Sequence, residues 1–398
     1  MKLLRNLKLA LGGLLVVGLA ACGGGGSSAS ADSGTLRLAL TDAPACGYDA
    51  VNVTIQKIRV NQSSSASDTD SGWSEVVLNP AVRVNLLNLT NGVLSELGQT
   101  PLPTGKYTQL RLVLAENSTD PTVTRANSVV LTSDLSKTEV ALTTPSGQQS
   151  GVKANVDIDI AANQMADFVL DFNACKSVVV AGGSGKYLLK PVVSVIPRYV
   201  SGVAGFVDPA ALTNTNGYAS VSLQQGGVVI KATAPDSITG KFLLQPVAPG
   251  SYTLVLTAPG RTTEVVTNVA VVTDAVTSLN ASGTPLNPTV SARGTVTGTA
   301  PVDTLVRVLQ PLTAGPTVEV AGRFVDSITG NYTYPLVVNA PLVAPYVAAS
   351  NLLVFAADTA AVAGKYTLNA SLTGFADQTK VLSTLASGAT ITSNFTFP

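Results

Sequence analysis

The chain has 398 residues, with 24 Lys and Arg set against 24 Asp and Glu and no histidine. The missing imidazole removes the commonest general base and the commonest metal ligand together, which excludes histidine triads, zinc hydrolysis and haem ligation, and a balanced charge without a basic run argues against nucleic acid as a partner. Charged residues make up only 12% of the chain; Val, Thr, Ser, Ala and Gly dominate instead, the profile of an exported β-rich protein of two or three domains.

The first residues give an address. Lys2, Arg5 and Lys8 precede a short apolar run over residues 9–19, and Leu19-Ala20-Ala21-Cys22 follows, ahead of four glycines. This is the layout of a secretory signal, and the tetrapeptide resembles the lipobox of bacterial lipoproteins. The resemblance implies cleavage of residues 1–21, a diacylglyceryl group on Cys22 and a further acyl chain (palmitate) on the new amino terminus, an effectively permanent membrane anchor. An uncleaved spanning helix is the alternative, but thirteen residues from 9 to 21 fall short of the roughly 20 required. Gly23 is not the Asp associated with inner-membrane retention, so the outer membrane of the cell envelope is the favoured location. Residues 22–33 continue as a lipidated Cys and a Gly/Ser linker without a fold of its own.

Once Cys22 is lipidated, Cys46 and Cys175 form an even pair in an oxidising compartment. A disulfide between them is expected, closing a loop of about 130 residues worth at most roughly 5 kcal/mol in the chain-entropy account. Two buried thiols are the alternative.

From residue 34 the chain alternates. Leu36, Leu38 and Leu40 share one face of a strand. In the next, residues 51, 53 and 55 are apolar and then 58 and 60, a phase slip that predicts a bulge near Gln56-Lys57. Leu110, Leu112 and Leu114 repeat the pattern, as do residues 152–160 and Phe168, Leu170 and Phe172. No stretch keeps a helical period, so residues 34–199 read as an antiparallel β-sandwich. The strings GTLRLALTDAP (34–44), LLNLTNG (86–92), LPTGKYTQLRL (102–112), PSGQQSGVK (145–153), DFNACKSVV (171–179) and YLLKP (187–191) resemble a bacterial domain of unknown function common in envelope lipoproteins, a resemblance that implies no activity.

A second unit is expected over residues 200–283, where DSITGKF (236–242), VAPGSYTL (247–254) and APG (258–260) resemble the carboxypeptidase-regulatory-like, transthyretin-like sandwich, grouped by fold with carbohydrate-binding-like modules. DSITG recurs ninety residues on, at 326–330, and G-x-Y-T-L recurs at 364–368. Residues 284–398 therefore read as a divergent copy with an insertion near 332–355. Its apolar stretch around Leu342 and Val347 is either a partner-binding patch or a cover for that domain's own open edge. The whole is all-β: three tandem antiparallel sandwiches after a lipoprotein signal.

Candidate chemistry is sparse. Ser150 and Lys153 have the spacing of serine-lysine acylases, yet Lys153 opens a strand where that chemistry needs a helix. The run 182–186 (GGSGK) lacks the rest of a phosphate loop and reads as a turn. Asp157, Asp159 and Asp171 gather into a cation site if their strands pair; otherwise they form a solvated face. Trp73, the only tryptophan, makes a ligand platform with Tyr48, or packs over the sandwich edge. No metal and no cofactor is expected. The leading reading is a non-enzymatic binding or adhesive lipoprotein, with glycan the first ligand class to test; the alternatives are a structural or assembly partner of other envelope proteins, and an enzyme acting on glycans with carboxylates alone.

Overall fold

The computed structural model describes residues 33–398 apart from 43–46, 121, 145–150, 214–217, 349 and 351. The leader, Cys22, Cys46 and Ser150 thus lie outside the described residues. No helix among the described residues is long and apolar enough to cross a membrane.

The first twelve strands are β1 (Ser33–Asp42), β2 (Tyr48–Asn61), β3 (Ser74–Asn85), β4 (Ser95–Pro103), β5 (Gly105–Leu114), β6 (Ser128–Leu131), β7 (Glu139–Thr143), β8 (Val152–Ile160), β9 (Met165–Phe172), β10 (Val178–Val180), β11 (Tyr187–Leu189) and β12 (Val193–Pro197). They make two sheets, ordered β12-β9-β1-β4 and β10-β11-β7-β6-β2-β5-β8, with β3 on β2. Alternation builds the core: Leu36, Leu38 and Leu40 of one sheet meet Val51, Val53 and Ile55 of the other. The bulge falls where the phase slip puts it. The register of β2 shifts between Ile55 and Lys57 against both neighbours, which turns Ile58 and Val60 inward as well. One correction concerns direction: β1 and β9 run parallel, so the sandwich is mixed. The rest of the domain serves as the long crossover that a parallel pair needs.

The second group is β13 (Gly202–Phe206), β14 (Ser220–Gln225), β15 (Val228–Thr233), β16 (Lys241–Leu244), β17 (Gly250–Ala258), β18 (Arg261–Val271) and β19 (Val276–Ser278); the third is β20 (Arg293–Thr299), β21 (Leu305–Gln310), β22 (Val318–Phe324), β23 (Asn331–Val337), β24 (Leu342–Pro345), β25 (Ala356–Ala357), β26 (Thr367–Ser371), β27 (Gln378–Val381) and β28 (Thr390–Thr392). Their small sheets, β16-β13-β19 and β23-β20-β28, have the same topology, and so do the four strands β15-β14-β17-β18 and β22-β21-β26-β27. The third unit is a topological copy of the second. The second core runs to Leu286, which bridges to Val207, a little past the expected boundary at 283.

The insertion is where the structure departs most from expectation. β24 does not close its own domain's edge. It pairs in parallel with β18 of the second domain, Glu264 opposite Leu342 and Thr267 opposite Pro345, and β25 follows it as the outermost strand. Tyr346, Leu353 and Phe355 pack on the second core, while Val343 joins Val255, Val265, Leu312 and Val318 in a small cluster shared by the two domains. Replacing residues 342–357 by a short Gly-Ser link is therefore expected to raise amide exchange along Thr263–Thr267 to that of an open edge and to promote self-association. Unchanged exchange in those residues would show that β18 does not depend on the donated strand.

Candidate functional site

The expected platform is not assembled. Trp73 precedes β3, beside the far end of β2, whereas Tyr48 opens that 14-residue strand. At about 3.3 Å per residue the two positions lie at opposite ends of a strand up to roughly 40 Å long. Arg59 and Arg111, cross-strand partners on β2 and β5, hold their guanidinium groups 4.6 and 4.9 Å from the centre of the Trp73 ring, and the indole N–H donates to the Ser67 carbonyl at 2.9 Å. The loop between Asn61 and Trp73 is pinned to the same row, since Arg111 donates to Ala66 O and Lys153 to Ser64 O, both at 2.8 Å. Trp73→Ala is expected to free this loop at a cost of about 1–2 kcal/mol, measured as urea stability of the full chain; a loss under a few tenths would mean that the ring only rests there. Tyr48 instead meets Tyr187 edge-on at 6.2 Å, and burial pushes its phenol up.

The three aspartates do not gather either, because β8 and β9 lie in opposite sheets. Asp157 pairs with Lys106 at 2.7 Å on an exposed face. Asp171 points away from its own core into the seam with the second domain. There Lys231 Nζ of β15 meets its Oδ1 at 2.6 Å, with the two side chains 1% and 10% exposed. Burial pushes the Asp171 carboxyl up against the attraction of Lys231. Among the described residues no group of three or more Cys, Asp and Glu stands close enough to hold a metal ion. Lys153 lies on β8 and gives its amine to the loop, and residues 182–184 form a single turn between β10 and β11, as read.

What the structure does assemble is a set of polar joints between domains. Glu319, its side chain 4% exposed, accepts from Lys176 of the first domain and from Arg307 beside it, both at 2.6 Å. Its backbone N–H and C=O are both met by the side-chain amide of Gln224 in the second domain, at 2.8 and 2.7 Å, so that Gln224 acts as a one-residue extension of the sheet. Arg307 also reaches the Gly227 carbonyl. All three domains meet at this residue, the first through its carboxylate and the second through its backbone. Nearby, Asn91 Oδ1 of the first domain takes the Leu243 N–H at 3.1 Å, and its own N–H donates to Thr233 Oγ1 at 2.9 Å.

The DSITG turn of the third domain is a further joint. Asp326 Oδ2 takes the Gly182 N–H at 2.7 Å, while Ser327 gives both its N–H and its hydroxyl to the Val180 carbonyl at 3.1 Å. A different kind of site is Glu264 of β18, which is buried with one N–H, that of Asn287, and with no partner for Oε2 among the described residues; burial pushes its carboxyl up to about 7. Lys231, Glu264 and Glu319 were not singled out by sequence reasoning. The available signal was a lone charge inside an apolar strand.

Two shallow clefts flank these joints. One of about 190 Å³ lies between Thr284–Leu286 and Leu352, Leu353 and Phe355; the other, about 150 Å³, lies between Gly92 and Tyr199. Both are below the roughly 300 Å³ at which small-molecule sites begin.

Residues 33–191 match the family profile described as "Domain of unknown function (DUF4382)". No curated protein matches the chain. Among solved structures, the chain is similar to a type II cohesin-X-dockerin complex from Acetivibrio cellulolyticus (26% identity, 23% of this chain and 59% of that one, TM-score 0.19). It is also similar to the Bacillus anthracis TIE protein (12% identity, 92% and 51%, TM-score 0.19) and to the pilus adhesin SpaC of Lactobacillus rhamnosus GG (9% identity, 92% and 44%, TM-score 0.15). The chain thus spans between 44% and 59% of these relatives. Scores this low establish no shared arrangement of domains.

Proposed function

We propose that this protein is a non-enzymatic lipoprotein of the bacterial cell envelope, moored through an acylated Cys22 to the outer membrane by preference, whose body holds or assembles another envelope protein. The supporting observation is the joint at Glu319 together with the donated strand β24: the three sandwiches are bound to one another instead of strung on linkers. Surfaces on such a body keep fixed separations, which suits recognition of a large partner better than enclosure of a small one. The Cys46–Cys175 disulfide belongs to this reading. Cys175 is disulfide-bonded, and the Ala174 N–H donates to Asp42 Oδ1 at 3.0 Å, which brings the chain shortly before Cys46 against the residue preceding Cys175.

Glycan is the competing ligand, resting on the resemblance of the second unit to carbohydrate-binding-like folds, an analogy of fold and not of site. The separation of Trp73 from Tyr48 weakens it. The deciding experiment is cross-linking of the native lipidated protein in its own membranes, with the unlipidated chain run in parallel on a glycan array. A single protein partner at fixed stoichiometry is expected. Glycan binding without such a partner, or turnover of an envelope substrate, would overturn the assembly reading.

A further inference from the structure

The pentapeptide Asp-Ser-Ile-Thr-Gly forms the same turn twice, by the same bonds. Asp236 Oδ1 takes the N–H of Ile238 and both the N–H and hydroxyl of Thr239, at 3.1, 2.7 and 2.8 Å. Asp326 Oδ1 takes those of Ile328 and Thr329 at 3.0, 2.8 and 2.9 Å. Gly240 and Gly330 each donate back to their Asp carbonyl, at positive φ. Asp, Thr and Gly are thereby accounted for. The Ser and Ile side chains play no part in either turn, although both copies keep them while the surrounding sequence has diverged.

Their use is visible in the third domain. There the outward groups, Asp326 Oδ2 and the N–H and hydroxyl of Ser327, are all taken by Val180 and Gly182 of the first domain, and Ile328 lies over Gly182, its Cδ1 3.4 Å from where a Cβ would stand. Gly182 has φ +61°, so the receiving strand end needs glycine for its backbone, while a Cβ there would stand in ordinary contact with Ile328. In the second domain the equivalent groups, Asp236 Oδ2 and the N–H and hydroxyl of Ser237, have no partner among the described residues. Ile238 is 83% exposed against 63% for Ile328.

We propose that the 236–240 turn is a docking element for another protein, which it engages as the 326–330 turn engages the first domain: through a β-strand end that presents a carbonyl and, two residues on, the N–H of a glycine. A second copy of this chain does not fit, since its own Val180 and Gly182 are already held by its third domain. The proposal rests on the assembly reading and names the point of contact.

The test uses the unlipidated full chain carrying labelled isoleucine methyl groups, titrated with a peptide of residues 177–190 closed by terminal cysteines to hold the β10–β11 hairpin. A saturable shift of the Ile238 methyl is expected, with none at the core residue Ile55. The double substitution Ser237→Gly with Ile238→Asp, which leaves Asp236, Thr239 and Gly240 in place, is expected to weaken binding about tenfold, read from the amide of Thr239. A peptide with alanine in place of Gly182 is expected to bind no better than the double variant. Silence of the Ile238 methyl at millimolar peptide, or equal binding by variant and wild type, would overturn the docking element. In membranes the same double variant separates the two claims. A partner cross-linked as strongly as to wild type sinks the docking element alone, and a wild type that captures nothing sinks the assembly reading.

Discussion

Lys231→Met is expected to lower the stability of the full chain by about 3–5 kcal/mol at pH 7, because it strands the Asp171 carboxylate in the seam between the first and second domains. The pair is close, at 2.6 Å, and nearly dry, so neither group can turn to water when the other is lost. Burial already pushes the Asp171 carboxyl up, and without the amine it rises further. The folded variant then holds a proton that the unfolded chain has released, and its stability falls as pH rises from the ordinary carboxylate range through the raised value. At pH 4 the variant is accordingly expected to lie closer to wild type. Removing both charges, Lys231→Met with Asp171→Leu, restores most of the loss, since apolar groups of similar volume replace a buried ion pair at little cost. Urea denaturation of wild type, Lys231→Met, Asp171→Leu and the double variant at pH 4 and 7 measures this cycle, and a Lys231→Met variant within about 1 kcal/mol of wild type at pH 7 would show that water reaches Asp171.

Glu264→Gln is expected to act in the opposite direction. The carboxyl ionises near 4.5 when unfolded and near 7 when folded, from burial first, with the Asn287 N–H opposing. Between those values the folded protein keeps a proton that the unfolded one has lost, so each rise in pH across the window weakens wild type. Above it the full difference, about 3 kcal/mol, has gone. A glutamine does not titrate. The variant should match wild type near pH 4 and exceed it by up to about 3 kcal/mol at pH 8. Strands β17, β19, β23 and β24 and the loop over residues 279–291 carry no Asp, Glu, Lys or Arg to rescue the carboxylate; their only titratable side chains are the tyrosines 252, 332 and 334. A gap between variant and wild type that stays constant with pH would place the ionisation elsewhere.

The strands were legible because their signal is local. Period two in residues 36–40 and 152–160 follows from one wet face and one dry face, and the slip at Gln56-Lys57 marked its own bulge. The duplication was legible in DSITG and G-x-Y-T-L. What could not be read was how the domains meet. That rests on single charges such as Lys231 in VVIKAT and Glu319 in VEVAGRF, and a lone charge on a strand ordinarily marks the solvent side. Ala39 and Thr41 are similar cases. They sit on the outer face of β1 and alternation predicts them wet, yet both are fully buried, at the end of the sheet where Lys231 and Thr233 of the second domain approach. The apolar stretch at Leu342–Pro345 announced a strand and not its destination. Backbone pairing is the same for any edge, so composition could not choose between the edge of its own domain and that of its neighbour.

The donated strand also sets a schedule for the polypeptide as it is exported. The second sandwich emerges from the membrane through Val271 about seventy residues ahead of Leu342. Until Leu342 follows, β18 waits with one side unpaired and its share of the Val255–Val265 cluster uncovered. A chain clipped between those points carries a sticky β edge that the finished molecule hides, and such fragments are the ones that envelope quality-control proteases and holding chaperones should meet first.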